Sequence, residues 1–172
     1  MTTVRRLSAA EAMRCTGSLA TVLMDCVEGG ASVSFMWPLS EEKARAFWDT
    51  VAAGVARGER ALLVAEDDGG ELLGTVQLLM KLPENQPHRA DVAKLLVRRS
   101  ARRQGVAQAL LTRLDAEARA EGKTVLVLDT VTGSDAERVY VRAGWQQVGS
   151  IPRYALMPDG AFCATTYFYK HL

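Results

Sequence analysis

Four arginines crowd into six residues at Arg98, Arg99, Arg102 and Arg103, and Gly105 then leads into an apolar helical pattern through Val106, Leu110 and Leu114. Like charges this close repel one another unless an anion sits among them. A helix that begins at a glycine offers unsatisfied N–H groups and the positive end of its dipole to such an anion. Gly105 keeps a Cβ out of the way of a phosphate, and Ala107 keeps the first turn small. Phosphate binding is the chemistry this segment predicts. Asp91 and Asp129 are carboxylates at apolar, strand-like runs, able to accept a proton or to hold a cationic substrate. Tyr140 adds a weakly acidic hydroxyl on a helical face with Ala136, Val139 and Ala143. The plainer alternatives are a solvated arginine cluster and a tyrosine that is only a half-buried aromatic.

The elements that must position these groups are marked by caps and glycines. Ser8 and Glu11 form a capping box for a helix that should end at Gly29 and Gly30. The run "GGASVSFMWPL" reads as a loop. A second helix starts at Ser40, with Glu41 and Glu42 in its first turn and Ala44, Phe47, Trp48, Val51 and Val55 on one face before Gly58. On this reading two helices precede any strand. Two β-runs flank the turn "DDGG" at residues 67–70, and residues 90–97, "ADVAKLLV", form the next strand. Helix follows over residues 105–121. The run "TVLVLDT" is a short apolar strand of the kind buried inside a parallel sheet, so strand, arginine-glycine loop, helix and strand make a β-α-β unit. Ser134 and Glu137 give another capping box, for a helix ending at Gly144. "WQQVG" and "CATTYFYKHL" are strands around a loop, "SIPRYALMPDGAF".

Composition narrows the function. The 172 residues suit one domain, 48% are apolar, and the net charge of +1 is too small for a general nucleic-acid binder. No secretion signal or membrane span is visible, so a cytoplasmic protein is expected. Three cysteines without a C-x-x-C and two histidines predict no metal site. "GKT" at residues 122–124 lacks the earlier glycine of a P-loop, because Glu117 stands there.

The pattern Arg102-x-x-Gly105-x-Ala107 resembles the pyrophosphate loop Q/R-x-x-G-x-G/A of the GNAT superfamily of N-acetyltransferases. "DAERVYVRAGW" is similar to that family's later segment at Ala136, Tyr140, Gly144 and Trp145. With the order of elements, the resemblance covers nearly the whole chain. It implies a single α/β domain over residues 1–172, with a mixed, mostly antiparallel sheet, helices on both faces and a splayed central strand pair. It implies acetyl-CoA as cosubstrate, bound by Arg102, Arg103, Gln104, Gly105, Val106 and Ala107. Leu96 and Val97 would hold the pantetheine arm and meet the oxyanion. Gly133 replaces an asparagine common in the family, so that cofactor contact is lost or moves to Ser134. Tyr140 would face the departing thiolate, and Asp91 or Asp129 would serve as base. "GGASVSFM", "PRYALMPDG" and "YFYK" look most like the tabtoxin-resistance branch, which acetylates a small amino-acid toxin. That likeness implies an acceptor site with Glu28, Ser32 and Phe35, although Glu28 stands where a histidine is expected. The implied partner is a small-molecule amine, with no nucleic acid and no membrane, and the protein would be a monomer or homodimer. An acetyltransferase for peptide or protein lysine, a coenzyme A sensor without turnover, and a nucleic-acid module are the alternatives.

Overall fold

The computed structural model describes residues 2–172. The chain starts with a strand, β1 (Thr3–Arg6), contrary to the expectation that helices come first. Its sequence, TVRR, has no apolar alternation because ion pairs hold it in place. Arg5 bonds Glu66 and Glu11, and Arg6 bonds Glu121 at 2.6 Å. The capping box at Ser8 forms as expected, but the helix it opens ends early. Cys15, at φ −89° and ψ 0°, divides it into α1 (Ala9–Arg14) and α2 (Thr16–Glu28). Next come α3 (Glu41–Ala56), β2 (Arg60–Glu66), β3 (Leu72–Leu79), β4 (Arg89–Val97), a 3₁₀ turn (Arg99–Ala101), α4 (Val106–Ala120) and β5 (Val125–Val131). The chain ends with α5 (Asp135–Arg142), β6 (Gln146–Leu156) and β7 (Phe162–His171).

The seven strands make one sheet in the order β1-β2-β3-β4-β5-β7-β6. Only β4 and β5 run parallel; every other pair is antiparallel. The "TVLVLDT" strand therefore has a parallel neighbour on one side only, and its exposure varies along its length instead of vanishing. The loop expected at residues 150–162 is largely strand, with β6 running on to Leu156 before the turn. Pro152 is tolerated because β6 is the sheet edge, where a missing N–H breaks no ladder, and its register slips between Ile151 and Ala155. At α5, Ser134 caps the Glu137 N–H at 3.2 Å, while the Glu137 carboxylate takes the Gly133 N–H, so the box is displaced by one residue.

Helices cover both faces. Ala61, Leu63 and Ala65 of β2 pack with α4 and α5 residues, including Leu110, Leu114 and Tyr140. Leu62 and Val64, pointing the other way, pack with α1, α2 and α3 around Trp48. This two-sided burial explains why β2 reads as an unbroken apolar run. One buried ion pair ties the layers together. Lys170 Nζ of β7 donates to Asp115 Oδ2 of α4 at 2.6 Å and to the Ala143 carbonyl at 2.8 Å, and both side chains are under one-fifth exposed. Asp115→Asn leaves that ammonium without its countercharge, so it is expected to destabilise the fold by about 3 kcal/mol in urea unfolding. Adding Lys170→Met should recover much of the loss.

Candidate active site

The sheet opens at its centre. β4 and β5 pair only through Arg89–Val125, Ala90–Leu126 and Asp91–Val127; residues 92–97 and 128–131 diverge into a gap. A bulge in β4 shapes one wall. Lys94 has φ +53°, and the register against β3 slips between Thr75 and Gln77. One extra residue moves the following side chains to the opposite face. Ala90 and Val92 lie in the α4-side core, but Leu96 is buried in the α2–α3 core. The Arg98 N–H donates to the Leu73 carbonyl at 2.9 Å. By strand alternation Leu96, opposite Thr75, also directs its N–H at β3, whereas Leu95 and Val97 direct theirs into the gap. Of the expected pair, Val97 thus opens onto the gap and Leu96 does not. Leu95, missed in the sequence, takes its place. The Val97 carbonyl accepts from the Cys26 thiol and from Arg102 Nε, each at 3.4 Å.

The arginine loop lies at the end of β4, and its four cations divide into two pairs. Arg98 is bound to Glu71. Arg99 clamps α2: its backbone N–H and Nε donate to Asp25 at 2.7 and 2.8 Å, and its guanidinium also pairs with Glu28. Burial raises the Asp25 pKa, but the Arg99 donors outweigh it and hold the carboxyl below its usual range. Arg102 and Arg103 have no carboxylate partner among the described residues and remain for an external anion. Arg103 (φ +61°) and Gly105 (φ +81°) turn the backbone so that none of the N–H groups of residues 103–107 donates to a described acceptor. Gln104 instead braces the loop, Nε2 donating to the Ser100 carbonyl at 2.9 Å. α4 begins at Gly105 without a side-chain cap, and no atom lies within 4 Å of where a Cβ would stand there. Orphan donors, a helix dipole and two guanidinium groups without carboxylate partners suit the pyrophosphate of coenzyme A.

The other wall carries Asp129 and Tyr140. The Tyr140 ring is buried at 5% exposure, edge-on to Trp145 with centroids 5.7 Å apart. Its hydroxyl bonds to no described residue. Burial, and then the charge of Asp129, push the phenol pKa well up, so the proton stays on oxygen. Asp129 is exposed on β5 and accepts from Thr165 Oγ1 at 2.7 Å. Asp91 sits at the last paired position of β4 and is held by Arg89. Tyr167 lies opposite Asp129 on β7. Its hydroxyl shares a 2.9 Å hydrogen bond with Tyr154, which with burial and nearby carboxylates pushes its pKa up to about 12.

The three acceptor residues expected from the sequence make scaffold contacts. Glu28 pairs with Arg99, Ser32 Oγ donates to the Leu156 carbonyl at 2.7 Å, and Phe35 stacks edge-on against Phe47 at 5.3 Å. Ser134 is the cap of α5. Lys94, Thr165 and Tyr167 also surround the gap and went unnoticed in the sequence. The one available signal was a lysine interrupting the apolar run "ADVAKLLV".

A seven-stranded sheet split between its parallel central strands, with the arginine–glycine loop at the end of the split, is the architecture of an acetyltransferase. Residues 23–145 match the model of the Acetyltransferase (GNAT) family, and the chain belongs to that family. Solved structures share the fold over almost the entire length. An N-acetyltransferase from Staphylococcus aureus Mu50 is 18% identical with a TM-score of 0.80, over 99% of this chain and 98% of that one. A GCN5-related N-acetyltransferase from Kribbella flavida is 22% identical with a TM-score of 0.79, over 99% and 98%. A putative acetyltransferase, yncA, from Salmonella typhimurium, solved with its cofactor acetyl-CoA, is 19% identical with a TM-score of 0.76, over 99% and 94%.

Proposed function

We propose that this chain is a single catalytic domain that transfers acetyl directly from acetyl-CoA to the amine of a small molecule. The observation that carries the reading is the β4–β5 gap, bounded by unsatisfied loop amides at one end and by the unpartnered Tyr140 hydroxyl and Asp129 at its wall. Bound acetyl-CoA supplies an activated thioester. Arg102, Arg103 and the amides of residues 103–107, with Gln104, Val106 and Ala107 shaping the turn, hold its phosphates, and Ser134 lies at the neighbouring α5 start. Val97 bonds the pantetheine arm. The Leu95 and Val97 N–H groups meet the charge that develops on the acyl oxygen.

An alkylamine with a pKa of about 10.4 is protonated at neutral pH and has no lone pair to offer. Asp129 accepts that proton in our reading, in preference to Asp91, which Arg89 already engages. The amine nitrogen bonds to the acyl carbon, the carbon–sulfur bond breaks, Tyr140 donates a hydrogen bond to the leaving sulfur, and the second proton of the nitrogen passes through solvent to the thiolate. A small acceptor is favoured over a peptide because the loop between α2 and α3 is tied to the β6–β7 hairpin. Ser32 bonds Leu156, and the Trp37 N–H donates to the Pro158 carbonyl at 3.1 Å. The likeness of these segments to the tabtoxin-resistance branch supports an amino-acid-like toxin or antibiotic, and Glu28, Ser32 and Phe35 then shape the acceptor site from behind. The three free thiols suit the reducing cytoplasm, and the chain contains all the groups named, so a monomer or a homodimer would be active.

A screen of small amines for release of free thiol from acetyl-CoA tests the reading. At least one amine should raise the rate well above the amine-free hydrolysis. Thermal stabilisation by acetyl-CoA without acceleration by any amine would instead identify a cofactor sensor, and turnover of lysine peptides alone a protein acetyltransferase.

A further inference from the structure

Lys94 differs from Lys170, the cation of the buried ion pair. Lys170 is matched by Asp115 and a carbonyl. Lys94 is half-buried yet makes no ion pair among the described residues. It leaves β4 at the bulge with a left-handed backbone, a conformation that costs an L-residue roughly 1 kcal/mol. Its Nζ donates to Ser34 Oγ at 2.9 Å and lies 5.7 Å from the centroid of the Phe47 ring. An ammonium has three N–H donors, so two remain without a described acceptor. Burial lowers its pKa and the charge of Asp129 opposes that shift, which places the two groups in one neighbourhood. Asp129 bears on Tyr140 in the same way. Counting on from the Asp91–Val127 pair, Lys94 and Asp129 stand at nearly the same level on the two walls of the gap. With no described carboxylate bound to it, the Lys94 ammonium is an uncompensated positive charge on that wall of the gap.

Resting on the acetyltransferase reading above, we propose that Lys94, with Ser34, receives a carboxylate carried by the acceptor. The acceptor is then an amino acid or amino-acid-like molecule whose amine faces Asp129 while its carboxylate faces Lys94. A singly charged group fits one ammonium and one hydroxyl. A phosphate dianion would leave surplus negative charge beside Asp129.

The test compares the common α-amino acids, β-alanine and γ-aminobutyrate with their carboxamides, and with phosphoethanolamine, on wild type and Lys94→Met. In wild type the best acid should exceed its amide in kcat/KM by about 10- to 100-fold, the worth of one charged hydrogen bond. In Lys94→Met that ratio should collapse towards one while amide turnover stays within about threefold, a selective loss that a purely structural lysine would not produce. Calorimetric titration of the same acids and amides into protein saturated with coenzyme A reads the subsite without turnover. Acid binding that depends on Lys94, with no acetylation of any amine, would keep the subsite and sink only the acetyltransferase reading. Amides bound and turned over as well as acids in wild type would overturn the proposal even if Lys94→Met fails to fold. So would an acid preference that survives in Lys94→Met, or a preference for phosphoethanolamine.

Discussion

Tyr140→Phe is expected to lower kcat and kcat/KM together by roughly a hundredfold, with acetyl-CoA affinity and melting temperature nearly unchanged. The substitution keeps the ring and its edge contact with Trp145 and removes only the hydroxyl. That hydroxyl has no described partner, so its loss orphans no protein group. A thiol with a cysteine-like pKa of about 8.5 is a stronger acid than an ordinary phenol at about 10. Burial and Asp129 widen that difference by raising Tyr140 further. The phenol therefore acts as a protonated donor to the sulfur as negative charge develops there, an interaction worth about two decades in rate. An interaction made only in the transition state lowers both kinetic constants equally. Because the raised pKa keeps Tyr140 protonated through the working range, the wild-type rate should show no fall assignable to phenol ionisation below about pH 10. Steady-state kinetics on an accepted amine, with cofactor binding measured alongside, checks both points. Full activity in Tyr140→Phe would rule out the Tyr140 hydroxyl as the donor that stabilises the departing thiolate.

Gly105→Glu should abolish the thermal stabilisation given by acetyl-CoA. At a hundred times the dissociation constant, a ligand that binds only the folded state adds about 2.7 kcal/mol. For a chain of this size that corresponds to roughly 5–10 °C. The glutamate would bring its carboxylate to the orphan amides of residues 103–107 and oppose the pyrophosphate there. Space is not the obstacle to folding, since nothing lies within 4 Å of the new Cβ. The left-handed φ of +81° costs a glutamate roughly 1 kcal/mol, a loss the fold should withstand. Gly105→Ala carries the same backbone strain without the charge and should retain most of the shift. A folded Gly105→Glu protein stabilised as strongly as wild type would mean the phosphates bind elsewhere.

Much of this architecture was legible because it is written locally. A serine with acidic residues just behind it and an apolar helical run beyond marks a helix start, and the caps at Ser8, Ser40 and Ser134 all form. Gly105 and the apolar run behind it located the anion loop, since a left-handed residue before a helix is a property of a few neighbouring dihedrals. β1 stayed hidden because two arginines held by distant glutamates replace the apolar pattern. The full length of β6 stayed hidden because a proline is excluded from a central strand but not from an edge, and strand order is not a local property.

Most of the elements, the arginine–glycine loop and the tyrosine helix could be read from the chain, because each rests on contacts within a few residues along it. Which charged groups are available depends instead on packing between remote segments. Arg98 and Arg99 looked equivalent to Arg102 and Arg103 until Glu71, Asp25 and Glu28, remote in sequence, were seen to hold the first two. The bulge at Lys94 likewise turned Leu96 away from the gap and brought Leu95 to it. A one-residue slip leaves no trace in composition or periodicity. It exists only in the pairing of β4 with β3, and so does the side of the sheet on which each group after it can act.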